Sequence, residues 1–421
     1  MTDTGTIAVM SDYTLRATKI LGRINELASI SEEEGFVTRT FGTEAFLHGS
    51  NKVMQWMKAA GLQTNVDNIS NVRGKLLSDN PDAKTLVIAS HIDTVVNAGK
   101  FDGPLGVIMG LDIIENIIAS KTKLPFHIEL IAFSDEEGVR FHTTFLGSKV
   151  VAGSFDKRSL HKKDKAGITL EEALHSMKAD VNKIAADAIA RENWLGYFEI
   201  HIEQGPVLYE KNIPVAVVTG IAGQKRAEIT FAGMAGHAGT VPMDMRKDAL
   251  AAAAEFILAM EDFALHNKDK IVATVGKLHI NHAASNVIPG KVVCSIDLRS
   301  ADEVVLETAE EAIKGMANMI ANKRNIGIEW HPVQETKPVI CNEKMTAALA
   351  NSIKTSGYEL IELVSGAGHD AVPISTVSPV AMLFVRCFEG ISHNPLENAE
   401  LKDIAAAIKV SDNFIQQLAN L

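Results

Sequence analysis

Residues 86–106 constrain the fold and the chemistry of this chain more than any other stretch. They open with four apolar residues, the pattern of a buried parallel strand. His91 and Asp93 follow two residues apart, so their side chains point to the same side if the strand continues. Asp102 lies in the glycine-containing loop that comes next. A histidine and two carboxylates at a strand end indicate a metal site, with Asp93 able to accept a hydrogen bond from His91. A polar strand end followed by a turn is the alternative.

Three further stretches carry metal-ligating residue types. One apolar run ends in SDEEG, where adjacent residues of an extended chain face opposite ways, so Glu136 and Glu137 can take different roles. The stretch EIHIEQG supplies His201, and SHNPLE supplies His393 near the C-terminus. Each one alone also fits a solvated acidic turn or a structural histidine. Because several of them end apolar strands, where open α/β sheets place their ligands, together they favour a functional site.

The order of predicted elements indicates an α/β fold with an insert. Strand, loop, helix and strand follow each other up to the SDEEG run, which is typical of parallel pairing. From residue 216 to 332 the pattern becomes strand, helix, strands, helix and strand, which predicts a self-contained α+β unit. The pattern then returns to α/β. Further elements are predicted as helices at 13–28, 43–60, 105–118, 245–263, 301–322 and 404–418, and as strands at 226–232, 271–280, 291–298, 326–330 and 377–385.

The motifs of this chain, and their order along it, resemble those of the hydantoinase/carbamoylase branch of the M20 metallopeptidase-like amidohydrolases. The resemblance extends from about Ile30 to the end of the chain and rests on SHIDTVVNAGKFDGPLGV, FSDEEGVRF, HIEQGPVL, GMAGHAGTVPM, NVIPG with DLRS, SGAGHDA and SHNPLE. It implies a catalytic domain with a mostly parallel central sheet flanked by helices, plus an inserted α+β lid and dimerisation domain. The expected catalytic domain comprises 1–214 and 333–421, and the expected lid comprises 215–332.

The resemblance also implies two divalent metal ions that share Asp102. His91 and His201 would complete one metal position, and Glu137 and His393 the other. Nitrogen and oxygen ligands of this kind suit Mn²⁺, Zn²⁺, Co²⁺ or Ni²⁺, and the sequence does not choose among them. Glu136 matches the general base and acid of the family, and Asp93 matches the acid that supports a ligand.

The implied substrate contacts lie partly in the insert. His237 would stabilise the developing oxyanion, reaching across from the other subunit of a homodimer; a turn histidine between glycines is the alternative. Arg299 would grip a carboxylate with two hydrogen bonds. The remaining implied contacts are Gln204, Asn286, and the backbone of Gly366 and Ala367.

Composition limits the partners and the compartment. The formal net charge is 41 − 52 = −11 and no long basic stripe occurs, which argues against nucleic acid. The three cysteines are far apart, so they predict no disulfide framework, and a reducing cytoplasm is the simplest setting. Residues 1–11 lack the pattern of a signal peptide, and no apolar run reaches the roughly 18 residues that suggest a membrane span.

The resemblance implies an enzyme that cleaves the ureido group of a small ureido acid and releases ammonia and carbon dioxide. Allantoate is favoured, because ISEEEGFVTRTF, VTGIAGQ and GHAGTVPMDMRKDALAAAAEFI resemble allantoate amidohydrolases. N-carbamoyl-L-amino-acid hydrolase or β-ureidopropionase activity is the near alternative. An M20-type metallo-exopeptidase and a non-catalytic ligand-binding protein are more distant ones; a missing ligand or base would mark the latter, and none is missing.

Overall fold

The computed structural model describes residues 4–420, and side chains from residue 12 onward. Residues 1–3 and Leu421 lie outside the described part, and so do the side chains of residues 1–11. The expectation that residues 1–11 are not a signal peptide therefore falls outside the described side chains. Packing divides the chain into two units. The first unit contains the chain up to Thr219, Cys341–Leu363 and the chain from Gly368 onward; the second contains Gly220–Ile340 and Val364–Ala367. The domain boundaries expected from the sequence stay predictions.

The described chain contains both α-helices and β-strands throughout its length. The α-helices are α1 Thr4–Ala28, α2 Glu44–Ala59, α3 Pro104–Ala119, α4 Leu146–Val151, α5 Leu170–Ser176, α6 Val207–Lys211, α7 Ala249–His266, α8 Glu303–Arg324, α9 Glu343–Thr355, α10 Ala371–Ile374 and α11 Leu401–Ala419. The strands are β1 Gln63–Val66, β2 Val72–Leu76, β3 Thr85–His91, β4 His127–Phe133, β5 Trp194–Ile202, β6 Val215–Ile221, β7 Gly223–Ala232, β8 Gly236–His237, β9 Val272–Thr274, β10 Leu278–Ile280, β11 Val287–Ile288, β12 Lys291–Ser300, β13 Gly327–Thr336, β14 Val339–Ile340, β15 Glu362–Ser365 and β16 Val380–Val385.

The sheet of the first unit has a parallel centre and antiparallel edges. Its strands follow the order β1-β2-β4-β3-β5-β16-β6. The four central strands, β4, β3, β5 and β16, pair in parallel, whereas β2 pairs with β4 and β6 pairs with β16 in antiparallel fashion. Strands β3 and β4 are buried along their whole length, as the apolar runs in the sequence predict. This arrangement confirms the predicted α/β fold.

The second unit is an antiparallel sheet with two helices. Its sheet has the order β10-β12-β7-β13, with β9 also paired to β12. Helices α7 and α8 bury apolar side chains such as Phe256 and Ile313 against Phe231 and other core residues of the sheet. The unit therefore has its own hydrophobic core.

Several predicted elements differ in their bounds from the structure, and two of these differences have a clear local cause. The strand predicted at 271–280 is two short strands, β9 and β10. Gly276 lies between them, and the Lys277 N–H donates to the Ser295 side chain at 2.9 Å instead of to a backbone carbonyl of the neighbouring strand. The helix predicted from residue 245 begins at Ala249, because the Asp248 carboxylate caps it by accepting hydrogen bonds from the N–H groups of Leu250 and Ala251. Among the described residues, no helix is long and apolar enough to cross a membrane.

Helix α3 lies close on the central sheet because two glycines face the strands. A Cβ at Gly106 would overlap the carbonyl oxygen of Ile200 and lie 2.8 Å from Ser90 Cβ. A Cβ at Gly110 would lie 2.7 Å from Leu130 Cδ1. Because Ile200 precedes His201 on β5, this close contact also fixes the strand end that carries a candidate ligand.

Replacing Gly106 with alanine is expected to destabilise the protein by about 1–3 kcal/mol, the usual cost of overpacking a tight site. The added methyl group would force α3 away from the Ile200 carbonyl group, which cannot move unless β5 moves with it. Thermal or urea unfolding checks this. Gly22→Ala in α1 is the matched control, since no atom lies within 4 Å of the new Cβ, and it should be neutral or slightly stabilising. Equal stability of the two variants would contradict the packing argument.

Candidate metal centre

The four parallel strands bring the candidate ligands to one edge of the sheet. His91 is the last residue of β3 and His201 is the penultimate residue of β5. Glu137 follows the end of β4, and His393 follows the end of β16. The carboxyl ends of parallel strands share an edge, so residues that are up to 302 positions apart in sequence become neighbours.

Asp102 lies between two groups of these ligands. Its Oδ1 atom is 3.6 Å from His91 Nε2 and 3.2 Å from His201 Nε2. Its Oδ2 atom is 3.1 Å from His393 Nε2, which is itself 3.5 Å from Glu137 Oε1. Each oxygen of this buried carboxylate therefore faces a different ligand group, which is the arrangement that a bridging carboxylate requires.

Backbone carbonyls orient the two buried histidines. His91 Nδ1 lies 3.0 Å from the Asp93 carbonyl oxygen, and His201 Nδ1 lies 3.0 Å from the Ile202 carbonyl oxygen. A carbonyl oxygen only accepts, so each Nδ1 carries the hydrogen and each Nε2 is left as a metal ligand. The sequence-based expectation that the Asp93 side chain does this is corrected, because its Oδ1 is 3.6 Å from His91 Nδ1, too far for a hydrogen bond.

The Asp93 carboxylate instead supports the acidic run after β4. Its Oδ1 accepts the N–H of Glu136 at 3.1 Å, and its Oδ2 accepts the N–H of Glu137 at 3.2 Å. The preceding residue, Asp135, has a positive φ of 51°, which turns the chain sharply at the strand end. Asp93 therefore fixes the backbone from which both glutamates project.

Burial dominates the electrostatics of the two glutamates. It raises the pKa of Glu136 well above the ordinary value, although nearby His91 opposes the rise. It also raises the pKa of Glu137 to about 7, with the charge of Asp102 adding to the effect. A raised pKa makes a carboxyl group a better proton acceptor.

The residues present fit divalent cations. Four groups of His, Asp and Glu have ligand atoms within 4.8 Å of one another: His91, Asp102 and His201; Glu199, His201 and His369; His91, Glu136 and Glu137; Asp102, Glu137 and His393. Buried carboxylates outnumber buried cations here, and the buried Arg39 donates through Nε and Nη1 to the carbonyl oxygens of Ile92, Leu27 and Ile30. A bound cation would supply the missing positive charge.

Gln204 contacts a candidate ligand directly. Its Nε2 donates to Asp102 Oδ2 at 2.8 Å, while its Oε1 is buried and has no hydrogen-bond partner among the described residues. The side chain therefore holds Asp102 through its amide nitrogen and leaves one acceptor for another group. Its role as a substrate contact stays a prediction.

The second unit brings together two pairs of the other predicted residues. His237 on β8 pairs with Val287 on β11, and the Asn286 carbonyl oxygen accepts the N–H of Ala238 at 2.9 Å. Both His237 and Asn286 are exposed. Their roles stay predictions.

Arg299 lies beside Gly366 in the same unit. Its Nη1 donates to the Gly366 carbonyl oxygen at 2.5 Å, and its Nε and Nη2 donate to Asp297 at 2.7 and 2.9 Å. The Ala367 N–H donates to Ser365 Oγ at 3.1 Å. One edge of the guanidinium is thus occupied by Asp297, and one hydrogen on Nη1 and one on Nη2 remain for a ligand.

Three polar residues near the ligands were not singled out from the sequence. Glu199 is fully buried and accepts hydrogen bonds from Tyr197 Oη at 2.9 Å and from the Ala371 N–H at 3.1 Å. Ser392 and Glu397 bond to the Asp102 loop. Glu199 stands two residues before His201 on a strand, so the period of two could have identified it; the other two depend on tertiary contacts.

Comparison with known proteins identifies relatives along most of the chain. The profile of peptidase family M20/M25/M40 matches residues 87–417. Allantoate deiminase 2 of Glycine max is 37% identical over 95% of this chain and 89% of its own length. The N-carbamoyl-L-amino acid amidohydrolase of Geobacillus stearothermophilus is 36% identical over 96% of this chain and 99% of its own length.

A solved structure has the same fold. It is an amidase of the hydantoinase/carbamoylase family from Burkholderia multivorans, with a TM-score of 0.90 and 32% identity, covering 96% of this chain and 98% of the other. Sequence and structure therefore agree with the resemblance that the motifs carry. The chain belongs to peptidase family M20/M25/M40, within its hydantoinase/carbamoylase branch of metal-dependent amidohydrolases, which hydrolyse C–N bonds other than peptide bonds.

Proposed function

We propose that this protein is a binuclear amidohydrolase that cleaves the ureido group of a small ureido acid, with allantoate as the favoured substrate. The products are ammonia, carbon dioxide and the amine that carried the carbamoyl group. The single observation that carries the binuclear proposal is the position of Asp102, whose two oxygens face different histidine groups. The cytoplasm is the proposed compartment.

The ligands divide into two sets that share Asp102. His91 and His201 would hold one ion from the side of Oδ1, and Glu137 and His393 would hold the other from the side of Oδ2. The metal identity is left among Mn²⁺, Zn²⁺, Co²⁺ and Ni²⁺. When bound, the ions would lower the pKa of a water molecule and polarise the scissile carbonyl group.

Glu136 is the proposed general base and acid. It takes a proton from the attacking water and returns that proton to the departing nitrogen, so its charge is restored after each turnover. Two features support this role. Its backbone is held by Asp93, and burial gives its carboxyl group a pKa well above that of an exposed glutamate.

Substrate binding is proposed for polar groups of the second unit together with Gln204. Arg299 would bind the carboxylate of the ureido acid with the guanidinium hydrogens that Asp297 and Gly366 leave free. His237 of the partner subunit would stabilise the oxyanion, which makes a homodimer part of the proposal. Asn286 and the backbone of Gly366 and Ala367 would complete the contacts.

Allantoate is favoured because a relative named allantoate deiminase aligns over almost the entire chain. An N-carbamoyl-L-amino acid amidohydrolase aligns equally fully at nearly the same identity, so hydrolysis of N-carbamoyl-L-amino acids is the second candidate. Both candidates use the same residues in the same roles. They differ only in the group that carries the ureido nitrogen.

The deciding measurement is ammonia release by the manganese-loaded protein. The panel contains allantoate, N-carbamoyl-L-amino acids, N-carbamoyl-β-alanine and a dipeptide scored by amine release. We expect the highest kcat/KM with allantoate. A preference for carbamoyl amino acids would transfer the same mechanism to the second candidate, and a preference for N-carbamoyl-β-alanine would identify a β-ureidopropionase. Cleavage of the dipeptide alone would overturn the proposed reaction.

A further inference from the structure

Glu397 joins two loops that are distant in the sequence. Its side chain is buried, and its Oε1 accepts the N–H of Phe101 at 2.8 Å and the N–H of Asp102 at 3.0 Å. Glu397 itself belongs to the segment that begins with Ser392 and His393. One carboxylate therefore ties the loop that carries Asp102 to the loop that carries His393.

The second oxygen of Glu397 reaches Asp102 through a hydroxyl group. Ser392 Oγ lies 2.9 Å from Glu397 Oε2 and 3.0 Å from Asp102 Oδ2. Gln204 Nε2, which donates to the same Oδ2, lies 3.4 Å from Ser392 Oγ. Because a hydroxyl group has one hydrogen, Ser392 donates to one of the two carboxylates at a time. The network ends on the oxygen of Asp102 that faces His393.

The loop before Asp102 is shaped to receive this side chain. A Cβ at Gly99 would overlap the Cβ, the Cδ and the Oε1 atom of Glu397. Only glycine leaves that space open, so Glu397 lies directly against the loop backbone. This contact also involves the Cβ and Cδ atoms of Glu397 and the backbone of Gly99, which take no part in the hydrogen bonds, so it is a further sign that the loop and the carboxylate fit each other.

We propose that Glu397 is a positioning residue that places Asp102 and His393 relative to each other and so sets the affinity for the ion on the His393 side. The inference rests on the binuclear site proposed above. The Glu397 carboxylate does not contact the Asp102 carboxylate or the His393 imidazole directly. It reaches the Asp102 carboxylate only through the Ser392 hydroxyl group. Its effect is therefore on geometry: without it, two backbone N–H groups lose their acceptor and the loop that carries the shared ligand is free to shift.

Two variants separate hydrogen bonding from charge. In Glu397→Gln, the amide oxygen still accepts from Phe101 and Asp102, and the amide nitrogen donates to Ser392 Oγ, which leaves the hydroxyl hydrogen for Asp102. In Glu397→Ala, both N–H groups are orphaned and a cavity remains. Positioning by hydrogen bonds predicts that Gln retains metal binding and Ala does not.

The measurement is titration of the apoprotein with Mn²⁺ or Zn²⁺ against a competing chelator, with bound metal counted by elemental analysis. We expect two ions in the wild type and in Glu397→Gln. In Glu397→Ala we expect one ion to bind about 10- to 100-fold more weakly, the usual effect of losing an outer partner of a ligand. Far-UV circular dichroism and the Tm of each apoprotein show whether the fold is retained.

A double-mutant cycle tests the contact from the other loop. Gly99→Ala should weaken the same ion, because the new methyl group displaces the Glu397 side chain. Combined with Glu397→Gly, which also removes the Cβ atom that the new methyl group would otherwise overlap, it should add little to the effect of Glu397→Gly alone, since the methyl group then enters vacated space. Gly276→Ala is the loop control, as its Cβ would meet only Ser295 Oγ at 3.7 Å, and it should bind both ions normally.

Each outcome decides the inference. Weakening of one ion in Glu397→Ala and Gly99→Ala, rescue in Glu397→Gln and non-additivity in the double variant support it. Unchanged affinity for both ions in folded Glu397→Ala overturns it and leaves the proposed function intact. Fewer than two ions in the wild type would overturn the binuclear site and this inference together, whereas the substrate panel judges the proposed reaction separately.

Discussion

Replacing Glu136 with glutamine is expected to lower kcat by about 10²- to 10⁴-fold, the range for loss of a general acid–base group. Glutamine keeps the size of the side chain but cannot accept a proton from water. Both metal ions should remain bound, because Glu136 belongs to neither of the two proposed ligand sets around Asp102. One set contains His91 and His201, and the other contains Glu137 and His393. Steady-state ammonia release and metal content, measured on the same preparation, check both statements.

The adjacent residue provides a matched control for this substitution. Glu137→Gln makes the same chemical change one position along the chain, beside His393 instead of the proposed base position. It should lose or weaken one ion, and added metal should restore part of its activity. Glu136→Gln should not respond to added metal. A near-normal kcat in Glu136→Gln with both ions bound would remove Glu136 from the mechanism.

The positions of the candidate ligands could be predicted because they depend on local patterns. His91 and Glu137 each follow a short apolar run, and a run of this length and flanking sequence predicts a buried strand. Once both strands are taken as parallel, their ends must share an edge. The order of elements predicts that pairing, and the structure has it between β3 and β4. The α/β fold follows from the same reasoning.

The contacts that hold the ligands could not be predicted, because they join residues with no pattern between them. Glu397 accepts from Phe101 and Asp102, which are almost 300 positions away. Such a contact exists only after the whole sheet has formed. Likewise, Asp93, two residues after His91, has a backbone carbonyl oxygen and two carboxylate oxygens that could accept a hydrogen bond. Only the path of the backbone decides that the carbonyl oxygen, and not the carboxylate, meets the imidazole.

Positive φ angles mark a further limit of sequence reasoning. Gln204 and His393 adopt φ of 58° and 53°, values that side-chain-bearing residues rarely take. Gln204 comes two residues after the end of β5 and His393 eight residues after the end of β16, and both turn their side chains toward Asp102. A sequence pattern that predicts a strand does not say that the next residues reverse direction. The polar clustering at the site therefore depends on local backbone conformations that carry a cost and that the surrounding packing stabilises.

Replacing Asp102 with asparagine is expected to remove at least one ion and to reduce activity more than loss of any other single ligand. The wild-type carboxylate presents an oxygen to each side, and the three histidines beside it hold its pKa well below the ordinary range, against the effect of burial. Asparagine presents one oxygen and one amide nitrogen that cannot bind a cation. Metal affinity should therefore fall by more than the roughly 10- to 100-fold associated with outer partners of a ligand.

The environment of Asp102 also decides which ion the asparagine variant retains. Oδ2 accepts from Gln204 Nε2 at 2.8 Å and lies 3.0 Å from Ser392 Oγ, so a donor is always directed at this side. An amide nitrogen placed there would face Gln204, donor against donor. The asparagine oxygen should therefore take the Oδ2 position, leaving its NH₂ group toward His91 and His201. Loss of the ion on that side, with the His393 side partly occupied, is the expected result of metal analysis combined with histidine NMR of the Zn²⁺ form. Asp79→Asn is the control, because it makes the same change at an exposed ion pair with Lys123, away from the site, and it should leave both ions bound.

Two ions bound in Asp102→Asn with wild-type affinity would show that the Asp102 carboxylate does not bridge them. The proposed mechanism would then need two separate metal sites.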